Sequence, residues 1–287
     1  MDSLFSCADE KNVHYMYASI RDSQYHRADR ARLEAMWSRY YRYADRHFKE
    51  EISTNFVQRY WEMAVTLALL DSGFSVASTD EGPDVVVNHA DGRPAAYVEA
   101  IAPNGGKGDN KVSEPQDRVF WVPHDDIILR YTNAICSKLN QYRWWKAKGS
   151  IDPSLPYVIA LNERAIPMSE SEANPPRLVQ ALYGIGTAFV TLDPTSLATV
   201  ASGFKTKKAS KKKNGSDVLL DGFITERLTE VSAILFACAP INCIPNDIRK
   251  IMSLAHNSRA LNPLPKGWLG QVSEICYTGE RVERITY

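Results

Sequence analysis

The sequence predicts an α/β protein in which a mixed central sheet is flanked by helices. Segments with the composition of buried strands alternate with longer stretches of helical periodicity. The 287 residues have a hydrophobic content of 44%, which suffices for a core without metal ions or disulfides. No internal repeat is visible. We therefore expect one domain, with an amino-terminal helical arm (1–52), a central core (53–165) and a carboxy-terminal α/β extension (166–287).

Composition and charge limit the functional classes. The chain has 34 basic and 34 acidic residues, so its net charge would not draw it onto DNA or an anionic membrane. Any affinity for nucleic acid must therefore come from a local basic patch. No stretch approaches the ~20 apolar residues that span a bilayer, and the amino terminus has no apolar run of signal-peptide length. We expect no membrane association and a cytoplasmic location.

The five cysteines are odd in number and scattered along the chain. They form no CxxC pair and have no histidine at zinc-finger spacing. We therefore expect reduced, mostly buried thiols, as in cytosolic proteins.

Two helices are predicted before the first strand. Residues Ala28–Lys49 are rich in Arg, Ala, Glu and aromatic residues and contain neither Pro nor Gly, which favours one continuous helix. A second helix is expected over Thr54–Asp71, where apolar residues recur at spacings of three and four. Ser53 or Thr54 would cap its start, and Gly73 would end it.

Strands and one long helix follow. Phe74–Ser78, Asp84–Asn88 and Ala95–Ile101 have strand character and predict a three-stranded meander. After a loop rich in Gly, Asn and Asp, a helix is expected over Asp125–Lys148. Pro156–Leu161 then has the continuous apolar composition of a buried strand.

The carboxy-terminal part predicts further strands. Thr187–Leu192, Val218–Ile224 and Val231–Ala237 have the expected composition. The lysine-rich segment Lys205–Lys213 interrupts them, and such runs usually form mobile, solvated loops.

Two acidic residues in the meander suggest a chemistry. Pro83-Asp84 opens one strand, and Glu99 follows fifteen positions later near the end of the next. This pattern resembles the PD-(D/E)xK nuclease superfamily, and the wider layout looks like an uncharacterised bacterial branch of it. The resemblance implies a restriction-endonuclease-like fold in which Asp84 and Glu99 bind Mg²⁺ or Mn²⁺. It also implies that Glu62, on the preceding helix, is a third or water-mediated ligand.

The sequence departs from that pattern at Ile101, where the superfamily has a catalytic lysine. Lys138 is a candidate replacement, because it shares one helical face with Ile127, Tyr131 and other apolar residues. Its alkyl stem could instead simply cover the core while its ammonium group reaches water. Gln141, three residues later, resembles a glutamine that RecB-like members carry on the corresponding helix.

Other polar motifs have weaker functional signals. His124-Asp125 and His256-Asn257 lack a neighbouring Ser or Cys nucleophile, so we interpret them as structural or substrate-side polar groups. Six lysines could contact the phosphates of a nucleic acid. They are Lys205, Lys207, Lys208, Lys211, Lys212 and Lys213.

We therefore predict a metal-dependent nuclease that cleaves DNA, of the kind found in restriction or anti-phage defence. A symmetric homodimer would be the simplest assembly for two cuts across a duplex. The alternative is a catalytically inactive nuclease fold that binds nucleic acid or a protein, since Ile101 replaces the expected lysine. A third reading is that the carboxylates are only buried, hydrogen-bonded polar groups.

Overall fold

Eight strands of the described chain form one mixed sheet between helices. The computed structural model describes residues 2–6, 12–79, 81–108, 111–115, 117, 119–171, 173–279 and 281–287. In their order across the sheet, the strands are β1 (Ser75–Ala77), β2 (Val85–Asn88), β3 (Pro94–Ile101), β4 (Tyr157–Asn162), β9 (Ala233–Ala237), β10 (Ser253–His256), β11 (Ser273–Tyr277) and β12 (Val282–Ile285). Strands β3–β4, β4–β9 and β10–β11 are parallel, and the other neighbours are antiparallel.

Helices cover the sheet and two hairpins extend from it. The predicted mixed α/β class is therefore confirmed. The helices are α1 (Tyr15–Asp22), α2 (Arg27–Tyr40), α3 (Phe48–Glu51), α4 (Phe56–Asp71), α5 (His124–Lys148) and α6 (Arg177–Tyr183). The two antiparallel hairpins are β5 (Ile185–Leu192) with β6 (Thr199–Thr206), and β7 (Ala209–Lys211) with β8 (Asp217–Leu219).

Two apolar layers, one on each face of the sheet, hold α4 and α5. All six residues of β4 are buried, which explains the continuous apolar run in a parallel strand covered on both faces. Trp61 of α4 is fully buried in one layer, and its indole Nε1 donates a hydrogen bond to the Ala160 carbonyl at 2.8 Å. Tyr131 and Tyr142 of α5 are buried in the other layer.

The prediction of one helix over Ala28–Lys49 is wrong, because this segment forms α2 and α3 with a break between them. In the break, the Asp45 carboxylate accepts a hydrogen bond from the His47 backbone N–H at 2.7 Å. Such local side-chain bonds compete with helical ones. Helix α4 begins at Phe56 with Asn55 at its N-cap position, so the predicted cap at Ser53 or Thr54 is also wrong.

The carboxy-terminal part differs most from the prediction. Strand β5 lies in a hairpin outside the main sheet. Of the predicted strand Val218–Ile224, only Val218 and Leu219 belong to a strand, because Ile224 and Thr225 both donate backbone bonds to the Asp221 carbonyl and form a turn. The segment Lys205–Lys213 is not a plain loop, since it contributes to β6 and β7. Strands β10, β11 and β12 were not predicted.

The helices and the cysteines of the structure bear on two expectations from composition. In the described part of the chain, no helix is both long and apolar enough to cross a membrane. The four cysteines located there are free thiols, as expected. Only Cys276 of these four is buried, so the prediction of mostly buried thiols is wrong.

Replacement of Trp61 by Ala tests the packing of α4 on the sheet. We expect Trp61→Ala to lower the free energy of unfolding by about 3–5 kcal/mol, because it leaves a large cavity in the core. Trp144→Ala is the matched control, since Trp144 is 54% exposed and its loss should cost much less. Chemical denaturation of both variants measures the difference, and equal losses would contradict the packing described.

Candidate functional site

Asp84 and Glu99 are fixed by hydrogen bonds that run in both directions between β2 and β3. The backbone N–H of Asp84 donates to Glu99 Oε2 at 3.0 Å. In return, the Ala100 N–H donates to Asp84 Oδ2 at 2.7 Å. The antiparallel register, in which Val85 faces Val98, places the start of β2 beside the end of β3. Glu99 is 1% exposed and Asp84 is half-buried, so the pair is accessible mainly from the Asp84 side.

Lys138 of α5 reaches the same pair from the facing layer. Its Nζ donates to Glu99 Oε1 at 2.6 Å and to Gln141 Oε1 at 3.3 Å. The structure thus brings together four residues of the predicted site. Ile101 is an apolar residue packed beside the α5 layer, and Lys138 is the cation that pairs with Glu99.

Burial and mutual repulsion control the protonation of this cluster. Burial, followed by the charge of Glu99, raises the pKa of Asp84 above its usual range. Burial also raises the pKa of Glu99, although Lys138 opposes the effect. Burial alone would lower the pKa of Lys138, but Glu99 and Asp84 outweigh it and the pKa is raised. Lys138 is therefore an ammonium ion at neutral pH.

Glu62 belongs to an adjoining network on α4. Gln58 donates to Glu62 Oε1 at 2.9 Å, and Arg59 donates to Glu62 Oε2 at 2.7 Å. The Gln58 side chain also links α4 to β3, because it donates to the Ala100 carbonyl and accepts from the Ala102 N–H. Burial and then the charge of Asp84 raise the pKa of Glu62 to about 7. The Asp84 charge thus affects the pKa of Glu62, although both Glu62 carboxylate oxygens accept hydrogen bonds from residues of α4.

Arg59 joins this network to the amino-terminal arm. Its guanidinium donates to Asp45 at 2.6 Å and to Glu51 at 2.6 Å, in addition to Glu62. The sequence interpretation missed both Gln58 and Arg59. Their positions four and three residues before Glu62 were the available signal, since side chains at these helical spacings are neighbours.

Asp84 and Glu99 supply the hard oxygen donors that Mg²⁺ or Mn²⁺ would require. Asp84 Oδ1 accepts no hydrogen bond in the part of the chain that the structure describes, and it belongs to the more exposed of the two carboxylates. No group of three or more His, Cys, Asp or Glu residues suited to a metal occurs among the described residues. Mg²⁺ is nevertheless commonly held by one or two carboxylates together with waters and substrate phosphates. Asp84 and Glu99 form such a pair, whereas Glu62 could contribute only through its second lone pairs or a water.

The six lysines are distributed over the two hairpins. Lys205 lies in β6, Lys207 and Lys208 connect β6 to β7, and Lys211 ends β7. Lys212 and Lys213 are in the following turn, which a hydrogen bond from the Gly215 N–H to the Lys212 carbonyl closes at 2.8 Å. Lys207 forms an ion pair with Asp125 at the start of α5. Their contact with nucleic acid remains a prediction.

Asn257 has a structural role. Its side-chain Nδ2 donates to the carbonyls of Leu228 and Val231, both at 2.8 Å. Its Oδ1 accepts from the Arg259 N–H at 2.9 Å. The neighbouring His256 lies 3.4 Å from the buried Glu274 carboxylate. These bonds hold β10 to the turn before β9.

No family model, curated protein or solved structure matches this chain. The class that the fold itself defines is a mixed α/β protein, with a large mixed sheet between helical layers. Function must therefore be argued from the geometry and charge of the carboxylate pair and its surroundings.

Replacement of Arg59 by Ala tests the link between the arm and Glu62. We expect Arg59→Ala to lower the free energy of unfolding by about 3–5 kcal/mol, because it leaves a buried carboxylate without its cation. Arg39→Ala is the matched control, since the Arg39–Asp71 pair is about half exposed and such pairs contribute about 1 kcal/mol or less. Urea denaturation compares the two, and a loss no larger than that of the control would contradict the network.

The raised carboxylate pKa values predict an unusual pH dependence of stability. Groups whose pKa is higher in the folded state stabilise it fully at low pH, and this stabilisation is lost as pH rises through the folded pKa. In EDTA, the contribution of Asp84 and Glu62 should therefore decline between about pH 4 and pH 7. The isosteric change Asp84→Asn keeps an acceptor for the Ala100 N–H but removes the charge. It should raise the melting temperature at pH 8 by about 2–4 °C or more, and by less at pH 5. A lower melting temperature than the unsubstituted protein at pH 8 would contradict the charge repulsion.

Proposed function

We propose that this protein is a metal-dependent nuclease with a restriction-endonuclease-like core, and that it hydrolyses phosphodiester bonds in DNA. The observation that carries the proposal is the junction of β2 and β3. Two carboxylates there are held in place by backbone N–H groups, and a protonated lysine from the facing helix contacts one of them. Their raised pKa values also favour the proposal, because groups with perturbed titration concentrate at functional sites.

Asp84 and Glu99 would together hold the metal ion. When bound there, the ion would supply Lewis acidity toward the phosphate and would make water more acidic. The backbone bonds to Asp84 Oδ2 and Glu99 Oε2 fix both side chains before substrate arrives, which avoids reorganisation during the reaction. In hydrolysis the water oxygen forms a bond to phosphorus and loses a proton to solvent, while one phosphorus–oxygen ester bond breaks and the leaving oxygen takes up a proton from solvent.

Lys138 suits electrostatic stabilisation better than proton abstraction. Its raised pKa keeps it protonated at neutral pH, so it has no lone pair with which to deprotonate water. As an ammonium ion it can orient the attacking water and stabilise the negative charge that develops on the phosphoryl oxygens. Gln141 accepts a bond from Lys138 and would position its amine.

A catalytically inactive module that binds nucleic acid or a protein is the second candidate. The Lys138 ammonium and the Asp84 N–H already engage both oxygens of Glu99. If that ion pair persists when metal and substrate are supplied, the carboxylates would only stabilise the fold. Binding without hydrolysis would then be the function.

Cleavage assays test the proposal directly. The purified protein would be incubated with supercoiled, linear and single-stranded DNA and with RNA, in Mg²⁺ or Mn²⁺ and in EDTA. We expect metal-dependent cleavage that Asp84→Ala abolishes, because the variant loses a ligand. We expect Lys138→Ala to reduce cleavage by about 10²–10³-fold, the usual cost of losing one stabilising group of a charged transition state.

The Arg143→Ala variant is the control for a basic residue on α5. Arg143 pairs with Glu230 on the exposed side of that helix. The Arg143→Ala variant should therefore cleave DNA at the rate of the unsubstituted protein. Cleavage by Asp84→Ala at the unsubstituted rate would contradict the assignment. Absence of cleavage of every substrate, with retained binding of DNA, would favour the inactive module.

A further inference from the structure

A cleft of about 500 Å³ separates the start of α5 from the β5–β6 hairpin. Among the described residues, its walls carry hydrogen-bond donors and no acidic side chain. Lys205 and Lys207 contribute ammonium groups, and Thr187 and Thr206 contribute hydroxyl groups. The volume is within the range of small-molecule sites. None of these residues belongs to the carboxylate pair or its networks, so the cleft is a separate feature of the molecule.

His124 presents an N–H donor to this cleft. Its Nδ1 accepts a hydrogen bond from Arg177 Nε at 2.9 Å, so the proton of the neutral ring must be on Nε2. Burial, and then the charges of Arg177 and Lys207, lower the pKa of His124 and keep the ring neutral. The hydrogen bond from Arg177 therefore holds His124 in one tautomer.

Arg177 adds buried positive charge behind the same wall. It is 4% exposed, and its Nη1 donates to the Ser169 carbonyl at 3.1 Å. Its Nη2 is buried without a hydrogen-bond partner among the described residues. The ammonium group of Lys207 pairs with the carboxylate of Asp125. Lys205 has no carboxylate partner in the described part of the chain, so the charge of the cleft is positive.

An exposed aromatic residue, Trp121, lies close in the chain to His124 of the cleft wall. Trp121 is 96% exposed, which is unusual for a residue with so large an apolar surface. It precedes His124 by three residues, so chain geometry limits their Cα separation to about 11 Å. The intervening Val122 and Pro123, together with Asp125 and Asp126, line a smaller cleft that shares His124 and Lys207 with the larger one. An indole ring at this distance could stack on a base whose phosphate lies in the cleft.

We infer that the cleft binds the phosphate group of a nucleotide unit, with Lys205, Lys207 and His124 as donors and Trp121 as the stacking surface for the base. The phosphate could belong to a free nucleotide or to a single-stranded nucleic acid. Donor-rich walls, the Lys205 ammonium without a carboxylate partner among the described residues, and an aromatic ring close in the chain are features that suit such ligands. This site does not depend on hydrolysis at Asp84 and Glu99.

Binding measurements in EDTA test the inference independently of the proposed nuclease activity. The probe is a fluorescein-labelled oligonucleotide of twelve thymidines, followed by fluorescence anisotropy at several salt concentrations. We expect Lys205→Glu to weaken binding by about tenfold and to reduce the salt slope by about 0.7, the value for one lost phosphate contact. Lys146→Glu is the control, because it makes the same charge change at an exposed position in the last turn of α5, at the opposite end of that helix from His124. It should weaken binding by about twofold or less.

A second pair of variants tests the stacking surface. Trp121→Ala should weaken binding by about fivefold or more, the usual effect of losing one stacked base. Trp144→Ala should not, because the Lys148 ammonium already lies 3.9 Å from the centre of the Trp144 ring. Competition by thymidine monophosphate would identify a mononucleotide site. Failure to compete, with the Lys205 and Trp121 effects retained, would identify a site for a nucleic-acid chain.

Three results would overturn the inference. The first is equal weakening by Lys205→Glu and Lys146→Glu, which would indicate diffuse attraction to the protein surface. The second is unchanged affinity in both Lys205→Glu and Trp121→Ala. The third is that the unsubstituted protein binds neither the oligonucleotide, thymidine monophosphate nor inorganic phosphate at low salt.

Discussion

The burial of the Glu99 carboxylate in the sheet is the constraint on which the site depends. A charged group that is 1% exposed needs hydrogen bonds and a cation to offset its lost hydration. The Asp84 N–H and the Lys138 ammonium meet this need from two different elements. Because Lys138 lies in the crossover helix between parallel strands β3 and β4, the sheet topology and the site require each other.

Helix α4 carries a second buried carboxylate, Glu62, on the other face of the sheet. Glu62 is also buried, and Arg59 neutralises it while pairing with two carboxylates of the amino-terminal arm. The arm is thus connected to the acidic cluster through one guanidinium group. Gln58 connects the same helix to the end of β3. Both oxygens of Glu62 and of Glu99 accept hydrogen bonds. Among the described residues, Asp84 accepts one only at Oδ2, so Asp84 is the carboxylate of this cluster with an oxygen available to a cation.

The central part of this architecture could be predicted from sequence, because strong local signals agree there. The meander, the long helix α5 and strand β4 have clear periodicity or apolar runs, and Lys138 was predicted on the inward face of its helix. The partners of Glu62 were missed because charged side chains on a largely buried helix carry no pattern of their own. Strands β10, β11 and β12 are short and pair across long separations in sequence, so their assignment depends on tertiary packing rather than propensity.

The central claim is that Asp84 and Glu99 together bind one divalent cation. Titration with Mn²⁺, with free Mn²⁺ measured by electron paramagnetic resonance, tests it without a substrate. The account predicts one bound ion per chain and loss of that binding in Glu99→Gln, because the neutral amide is a poor ligand for a hard cation. It also predicts weaker binding at lower pH, since the ligands must lose their protons. Equal Mn²⁺ binding by the unsubstituted protein and Glu99→Gln, or no binding by either, would contradict it.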